Sequence, residues 1–234
     1  MATYAFETLT PEQALAVQAR DTVTFTSGEA NQATVLYLAD TGQIAIASAG
    51  KSLTFAAAVA AMGSGAPPVA FTFPDASTLF IGGESGDSNS GSTNNDAAFG
   101  GAADDTLSAG SGGRDLLQGN AGADSLQASG GQATIYGGQG DDAVAGYGVR
   151  FVQGNQGADT IKTTGENMTV LGGKGDDYVL GSQGGHTNFI NGNLGDDQIY
   201  GSGTLSGEDG ADTIAGLADF GGLGGKLDRR RSGR

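Results

Sequence analysis

Residues Gly137–Ala145 read GGQGDDAVA, and Gly172–Leu180 read GGKGDDYVL. Both fit a nine-residue pattern, G-G-x-G-x-D-x-U-x, in which U is a large aliphatic. Five more copies accompany them: GGAADDTLS (Gly100–Ser108), GNAGADSLQ (Gly119–Gln127), GNQGADTIK (Gly154–Lys162), GNLGDDQIY (Gly192–Tyr200) and GEDGADTIA (Gly207–Ala215). An internal repeat outranks other signals, because it fixes the architecture before any single residue is weighed. The sixth-position aspartates are Asp105, Asp124, Asp142, Asp159, Asp177, Asp197 and Asp212, at steps of 19, 18, 17, 18, 20 and 15 residues. Strong copies therefore recur about every two repeat lengths. Between them lie weaker segments of six to eleven residues that keep an aliphatic and mostly lose the loop.

That spacing describes a coil of two short strands and two loops. If strong and weak loops alternate, every strong loop stacks on one flank and every weak loop on the other. Insertions then fall on the weak flank, where nothing fixes the backbone. One aliphatic recurs per half-coil, from Leu107, Leu117, Leu126 and Ile135 through to Leu205 and Ile214. Side chains alternate across a strand, so these point into a thin core between two parallel sheets. The fold class expected is mostly β: a parallel β-roll, a two-sheet solenoid, with a small N-terminal α+β domain.

The rest of the chain divides around the repeat. Residues 1–81 read as ordinary globular sequence. Thr10-Pro11-Glu12 is a helix start, with an N-cap candidate and Pro at the first position. Strand-like runs follow at Asp21–Thr26, Ala33–Leu38, Gln43–Ser48, Ser52–Ala56, Val69–Phe73 and Thr78–Ile81, and Ala57–Met62 suggests a helical turn. Residues 82–99 are rich in Gly, Ser and Asn, a linker or a set of degenerate first repeats. Residues 100–216 form the roll, and 217–234 are a Gly-rich and then basic tail containing Arg229–Arg231 and Arg234.

Composition narrows the function. Gly is 44 of 234 residues without a G-X-Y period, so a collagen helix is excluded. The net charge of −15 argues against nucleic acid and calls for cations near the carboxylates. The absence of Cys removes disulfides and thiolate metal sites, and the single His186 removes any site built on two imidazoles. No apolar run approaches the length of a membrane span, roughly 20 residues. The stretch MATYAFETLTPEQ lacks a cleavable signal's basic flank and apolar run. The expectation is a cytoplasmic protein, or one exported by a route that needs no such signal.

The repeat resembles the RTX (repeats-in-toxin) nonapeptide of hemolysin-type calcium-binding proteins, securely over Gly100–Ala215. The resemblance implies calcium, about six ions in one row between successive strong loops. Ligands would come from Asp105, Asp124, Asp142, Asp159, Asp177, Asp197 and Asp212. Backbone oxygens would come from the loops holding Gly119, Gly122, Gly137, Gly140, Gly154, Gly157, Gly172, Gly175, Gly192, Gly195, Gly207 and Gly210. Calcium takes six to eight oxygen ligands, and Gly permits the backbone turns that present carbonyls. GGESGD and GSTNND sit in register before Gly100. Asp87 is thus a further candidate on the strong flank, and Asp96 with Asp115 a candidate pair on the weak flank. The resemblance also implies secretion by a type I system without a cleaved signal, to the extracellular space or cell surface. The basic C-terminus departs from the signal expected for that route.

Other motifs carry less. AIASAGKS (Ala45–Ser52) is one residue from a phosphate-binding loop, but its flanking alternation favours a strand–turn–strand hairpin. No H-E-x-x-H and no G-x-S-x-G occurs. The adjacent pairs Asp141-Asp142, Asp176-Asp177 and Asp196-Asp197 read as ion ligand plus solvated neighbour. The expected function is therefore non-enzymatic: a calcium-binding structural or interaction protein of adhesin, matrix or surface-layer type. The partner would be a cell-surface component or a second copy joined head to tail through an open strand edge. The alternative is a secreted enzyme or effector whose activity lies in residues 1–81, with the roll as a secretion and folding module.

Overall fold

A nine-residue repeat with one inward aliphatic cannot bury that side chain alone; it must stack. The computed structural model describes residues 1–60, 69–183 and 187–217, and the backbone of Lys226–Asp228. It is a mostly β, parallel β-solenoid. His186 and the basic cluster at 229–231 and 234 lie outside the described residues.

Each coil contributes one strand to each of two sheets. The first sheet runs in order through Ala97–Ala102, Leu116–Ala121, Thr134–Gln139, Phe151–Gln156, Thr169–Lys174, Phe189–Leu194 and Thr204–Asp209. The second runs from Ser88–Ser90 through Thr106–Ser111, Ser125–Ser129, Ala143–Tyr147, Thr160–Thr164, Tyr178–Leu180 and Gln198–Gly201 to Thr213–Gly216. Leu117, Ile135, Val152, Val170, Ile190 and Leu205 stack in one sheet. Leu107, Leu126, Val144, Ile161, Val179 and Ile199 stack in the other. They share one buried core, while the side chains on either side of each face outward.

The first 81 residues do not stand apart from the roll. Thr3–Ala5, Thr22–Thr24, Ala70–Thr72 and Thr78–Ile81 continue the first sheet, and Thr78–Ile81 pairs directly with Ala97–Phe99. Phenylalanines build the core here: Phe6 stacks on Phe25 at 4.5 Å, and Phe25 on Phe73 at 4.1 Å. The same cluster includes Ala97 and Phe99, so it closes the first coil from above. Helix Pro11–Leu15 starts at Thr10, whose Oγ1 accepts from Gln13 N–H while the Gln13 side chain accepts from Thr10 N–H. This is a capping box. Gln43–Ser48 and Lys51–Phe55 form an antiparallel hairpin whose turn residues, Ala49 and Gly50, both have positive φ. The phosphate-loop look-alike is thus a two-residue turn.

Two segments differ from the plainest reading of the sequence. Of the two readings of residues 82–99, the structure takes the repeat: Ser88–Ser90 pairs with Thr106–Ser108, and Ala97–Ala102 with Leu116–Ala121. The roll thus begins before Gly100. At the far end, Lys226–Asp228 pairs in parallel with Thr204–Ser206, adding a strand to the first sheet where the sequence suggested only a tail. In the second sheet, Thr213–Gly216 is the outermost strand among the described residues.

The thin core makes each aliphatic count. Ile161 is fully buried, whereas Lys162 beside it is exposed. Ile161→Ala should cost about 2–5 kcal/mol. Lys162→Ala should stay within about 0.5 kcal/mol of the parent. Urea unfolding followed by circular dichroism in calcium measures both; equal effects would contradict a core of one aliphatic per half-coil.

Candidate metal site

On the strong flank the backbone turns from one sheet to the other, and the sixth-position aspartate turns its side chain inward. Asp105, Asp124, Asp142, Asp159, Asp177 and Asp197 are at most 2% exposed. They form a ladder. Each Oδ1 accepts the backbone N–H of the aspartate one coil earlier, from Asp87 N to Asp105 at 2.7 Å through to Asp177 N to Asp197 at 2.9 Å. Asp212 ends the series, accepting from Asp197 N–H at 3.0 Å, and is half-buried because no strong loop follows it.

The second oxygen of each carboxylate is the informative one. Oδ2 of Asp105, Asp124, Asp142, Asp159, Asp177 and Asp197 is buried and has no hydrogen-bond partner. It lies against the first glycine of its own loop. A Cβ on Gly137 would sit 2.3 Å from Asp142 Oδ2 and 2.6 Å from the carbonyl oxygen of Gly154 in the next coil. Gly119, Gly154 and Gly172 are confined in the same way, and Gly192 and Gly207 lie as close to Asp197 and Asp212. These first-position glycines are required by space. The fourth-position glycines are required by backbone conformation: Gly140 has φ +115°, and Gly122, Gly157, Gly175, Gly195 and Gly210 share that sign.

An ionised carboxylate without water, a hydrogen-bond donor or a cation is unfavourable. Among the described residues the single ion pair joins the N-terminal ammonium to Asp21, so no side chain neutralises this row. Burial consequently pushes Asp105, Asp142 and Asp177 up to about 7, and Asp159 and Asp197 up to about 6. The N–H from the preceding coil opposes that rise in each case. Asp124 is raised for the same reason. No three His, Cys, Asp or Glu side chains converge among the described residues. A cation here must therefore complete its shell with backbone carbonyls, which suits calcium and its all-oxygen preference. The orphaned Oδ2 atoms and glycine loops fit that ion.

The weak flank is built differently. Ala133, Val149 and Met168 are buried there, where the strong flank has carboxylates. Its first coils carry the buried acids Asp96 and Asp115. Asp96 is fully engaged by protein: Oδ1 accepts Thr78 N–H and Oγ1–H, and Oδ2 accepts Ser92 N–H and Oγ–H. Asp115 accepts Asp96 N–H at 2.9 Å through Oδ1, and its buried Oδ2 has no partner. Burial pushes Asp115 up to about 6. The pair meets backbone to carboxylate. Asp87, on the strong flank, already accepts Gly83 N–H at 2.8 Å through Oδ2.

Sequence reasoning missed two features of the row. The neighbours Asp104, Asp141, Asp176 and Asp196 are exposed, as expected. Yet each also accepts a backbone N–H from the following coil, at 2.7–2.8 Å. The D-D doublets were the available signal. Tyr37 had none. It lies in strand Thr34–Leu38, which pairs antiparallel with Gln43–Ser48, and reaches the start of the row, where its hydroxyl donates to the carbonyls of Gly82 and Phe99 at 3.1 and 3.3 Å. Burial, with Asp105 and Asp87 nearby, raises its hydroxyl above the ordinary tyrosine value.

A family model described as the RTX calcium-binding nonapeptide repeat matches residues 81–113, 109–144, 153–187, 183–203 and 204–223. Comparisons with curated proteins and with solved structures gave no match.

Two outcomes follow for the row. Asp159 accepts from Asp142 N–H and donates its own N–H to Asp177, so it belongs to two adjacent inter-coil gaps. Asp159→Ala should lower the number of calcium ions bound in calorimetric titration by about two, whereas Glu166→Ala on the weak flank should leave it unchanged. Acid should act oppositely on the two metal states. Folded, calcium-free carboxyls hold protons up to about pH 7, above the ordinary 3.8. Across that window the folded state binds more protons than the unfolded chain, so calcium-free stability falls as pH rises. In chelator the strand signal should be stronger at pH 5 than at pH 8. With calcium present, half-saturation should need more ion at pH 5, because protons compete. Circular dichroism showing the reverse order in chelator would refute the assignment of these buried acids.

Proposed function

We propose the function from one premise, that this chain belongs to the RTX calcium-binding nonapeptide repeat family. It is a calcium-binding repeat protein, and RTX repeats typically occur in secreted proteins. No helix among the described residues is long and apolar enough to cross a membrane. On our reading it is exported by a type I route and works outside the cell as a structural or interaction element of adhesin, matrix or surface-layer type. About six calcium ions occupy the strong flank and offset most of the −15 charge. The observation that carries this reading is the uninterrupted row of buried carboxylates with orphaned Oδ2 atoms. Such a row makes the folded state conditional on the ion. Binding free energy then becomes folding free energy, and the roll assembles where calcium is plentiful.

The ends of the roll support self-association. One end is closed by the phenylalanine core of the first 81 residues. In the second sheet both terminal strands, Ser88–Ser90 and Thr213–Gly216, have a side without a strand partner among the described residues. Joining them head to tail continues the sheet from one copy to the next. The N–H groups of Thr213 and Leu217 already point inward, to Asp197 O and Gly201 O at 2.7 Å. In a parallel ladder the groups alternate, which leaves Gly216 N–H facing out. Gly216→Pro together with Thr213→Lys therefore blunts the edge without touching the inner ladder or Asp212.

Circular dichroism and sedimentation velocity test both parts. Chelator should abolish most strand signal, and calcium should restore it where equal magnesium does not, since magnesium demands strict octahedral geometry. In calcium the wild type should sediment as a concentration-dependent series of oligomers and the edge variant as a monomer. An unchanged spectrum in chelator would overturn calcium-dependent folding. Monomers for both proteins would overturn the assembly, leaving a monomeric calcium-binding module.

A further inference from the structure

The outer face of the first sheet carries a second period that the aspartate row does not use. At its two outward positions, a pair of amides alternates with an apolar side chain beside a glycine. Gln118 and Asn120 are followed in register by Tyr136 and Gly138, and then by Gln153 and Asn155. Leu171 and Gly173 come next, followed by Asn191 and Asn193. Strands lie about 4.8 Å apart, so this pattern repeats every two coils, roughly 9.6 Å. A trough of about 540 Å³ runs over the first of these coils, and a second of about 300 Å³ continues it from Asn155 and Gln156 to Lys174 and Asn193.

The three amide pairs are not alike: Asn191 is engaged within the protein, its Oδ1 accepting Asn193 N–H at 3.1 Å and its Nδ2 donating to Glu208 Oε1 at 2.7 Å. Asn120, Asn155 and Asn193 have φ of +78°, +84° and +77°. Glycine adopts that region most readily, and the same position holds glycine in the alternate coils. Asn tolerates φ near +80° better than most side chains, whereas Gly138 and Gly173 lie at +136° and +135°, where a Cβ would meet the backbone of the neighbouring coil. Gln118 Nε2 donates to Asn120 Oδ1 at 2.6 Å, which leaves Asn120 Nδ2 buried without a partner; Asn193 Oδ1 is likewise buried and unpartnered. Such atoms are uncommon in folded proteins and mark a place where a ligand or water completes the bonding. In a chain of net charge −15, the residues lining both troughs include no carboxylate and one cation, Lys174.

We infer that this face binds an extended, uncharged polysaccharide lying along the axis of the roll. Its hydroxyls meet the Gln118–Asn120 and Gln153–Asn155 amides, and the apolar faces of its rings rest over Tyr136 and Leu171. A β-1,4-linked hexopyranose chain advances by about one strand spacing per ring and turns each ring over relative to the last. Its repeat is thus a disaccharide, matching the two-coil alternation of amide and apolar platforms. A polyanion, nucleic acid included, would meet the repulsive field of the protein. The inference goes beyond the calcium reading and requires only a folded roll.

Isothermal titration of the full chain in calcium with cellohexaose tests it. Cellohexaose should bind at least tenfold more tightly than cellobiose, and at least tenfold more tightly than maltohexaose, whose chain coils. The triple variant Asn120→Gly, Asn155→Gly, Asn193→Gly keeps a residue suited to positive φ and should weaken cellohexaose binding at least tenfold, with its calcium-induced circular dichroism unchanged. Tyr136→Ala should weaken it as well. Binding that survives both variants, or that is equal for maltohexaose, overturns the proposal. Circular dichroism on the same sample separates the two readings. No strand signal in calcium overturns calcium-dependent folding, whereas a folded roll that ignores cellohexaose overturns the trough.

Discussion

A carboxylate taken out of water with one oxygen left unbonded is the constraint around which this molecule is organised. The row from Asp105 to Asp197 repeats that arrangement coil after coil, each Oδ1 tied to the preceding backbone and each Oδ2 left over. A single such group would be met by a pKa shift or a nearby Arg. Six in succession, among described residues that offer no basic partner, concentrate a buried charge that an external cation would offset. Loop length follows from the same requirement. Strong loops cannot change length without moving a carboxylate out of line, so variation in coil length is confined to the weak flank, where Ala133, Val149 and Met168 fill space instead.

Glycine serves this row in two unrelated ways. At Gly137 the close approach of Asp142 Oδ2 and the Gly154 carbonyl leaves no room for a Cβ. At Gly140 the backbone lies at φ +115°, a region that side chains disfavour. The motif's spelling thus records one steric and one conformational demand. Both come from bringing carbonyls and a carboxylate to the same place. The cost is a chain with high conformational entropy when unfolded and a core of one aliphatic per half-coil. Ions held in the row would offset that cost along the roll, and the phenylalanine cluster does so at its beginning.

That beginning shows how a solenoid acquires an end. Four short strands of the first 81 residues extend the first sheet beyond the repeat, while strand Thr34–Leu38 brings Tyr37 across to the carbonyls of Gly82 and Phe99. The hydroxyl engages the first carbonyls of the stack at the point where the aspartate ladder starts. Ordinary packing here, with buried rings such as Phe6, Phe25 and Phe55, gives a template on which the first coil can be laid. The far end has no such cluster among the described residues, and Asp212 there is only half-buried.

The sequence by itself determined the roll, its coil length, the flank that holds the aspartates and the aliphatics that fill it. A repeat states its geometry in the spacing of its residues: 19, 18 and 17 residues between Asp105, Asp124, Asp142 and Asp159 can only be successive turns of one solenoid. Short elements near the N-terminus were also legible, because the N-cap Thr10 followed by Pro11 and the alternation in Gln43–Ser48 are local signals. Contacts between residues far apart were not legible. Only the tertiary structure decided that Asp96 is fully bonded by Thr78 and Ser92 while Asp115 keeps an open oxygen. It also decided that strands at residues 3–5 and 22–24 join the sheet of the repeat. The alternation of amide and apolar coils was present in the letters all along. It became a surface only when parallel pairing set Asn120, Gly138 and Asn155 side by side. A hydrogen bond between coils depends on where a third segment packs, and no local pattern encodes that.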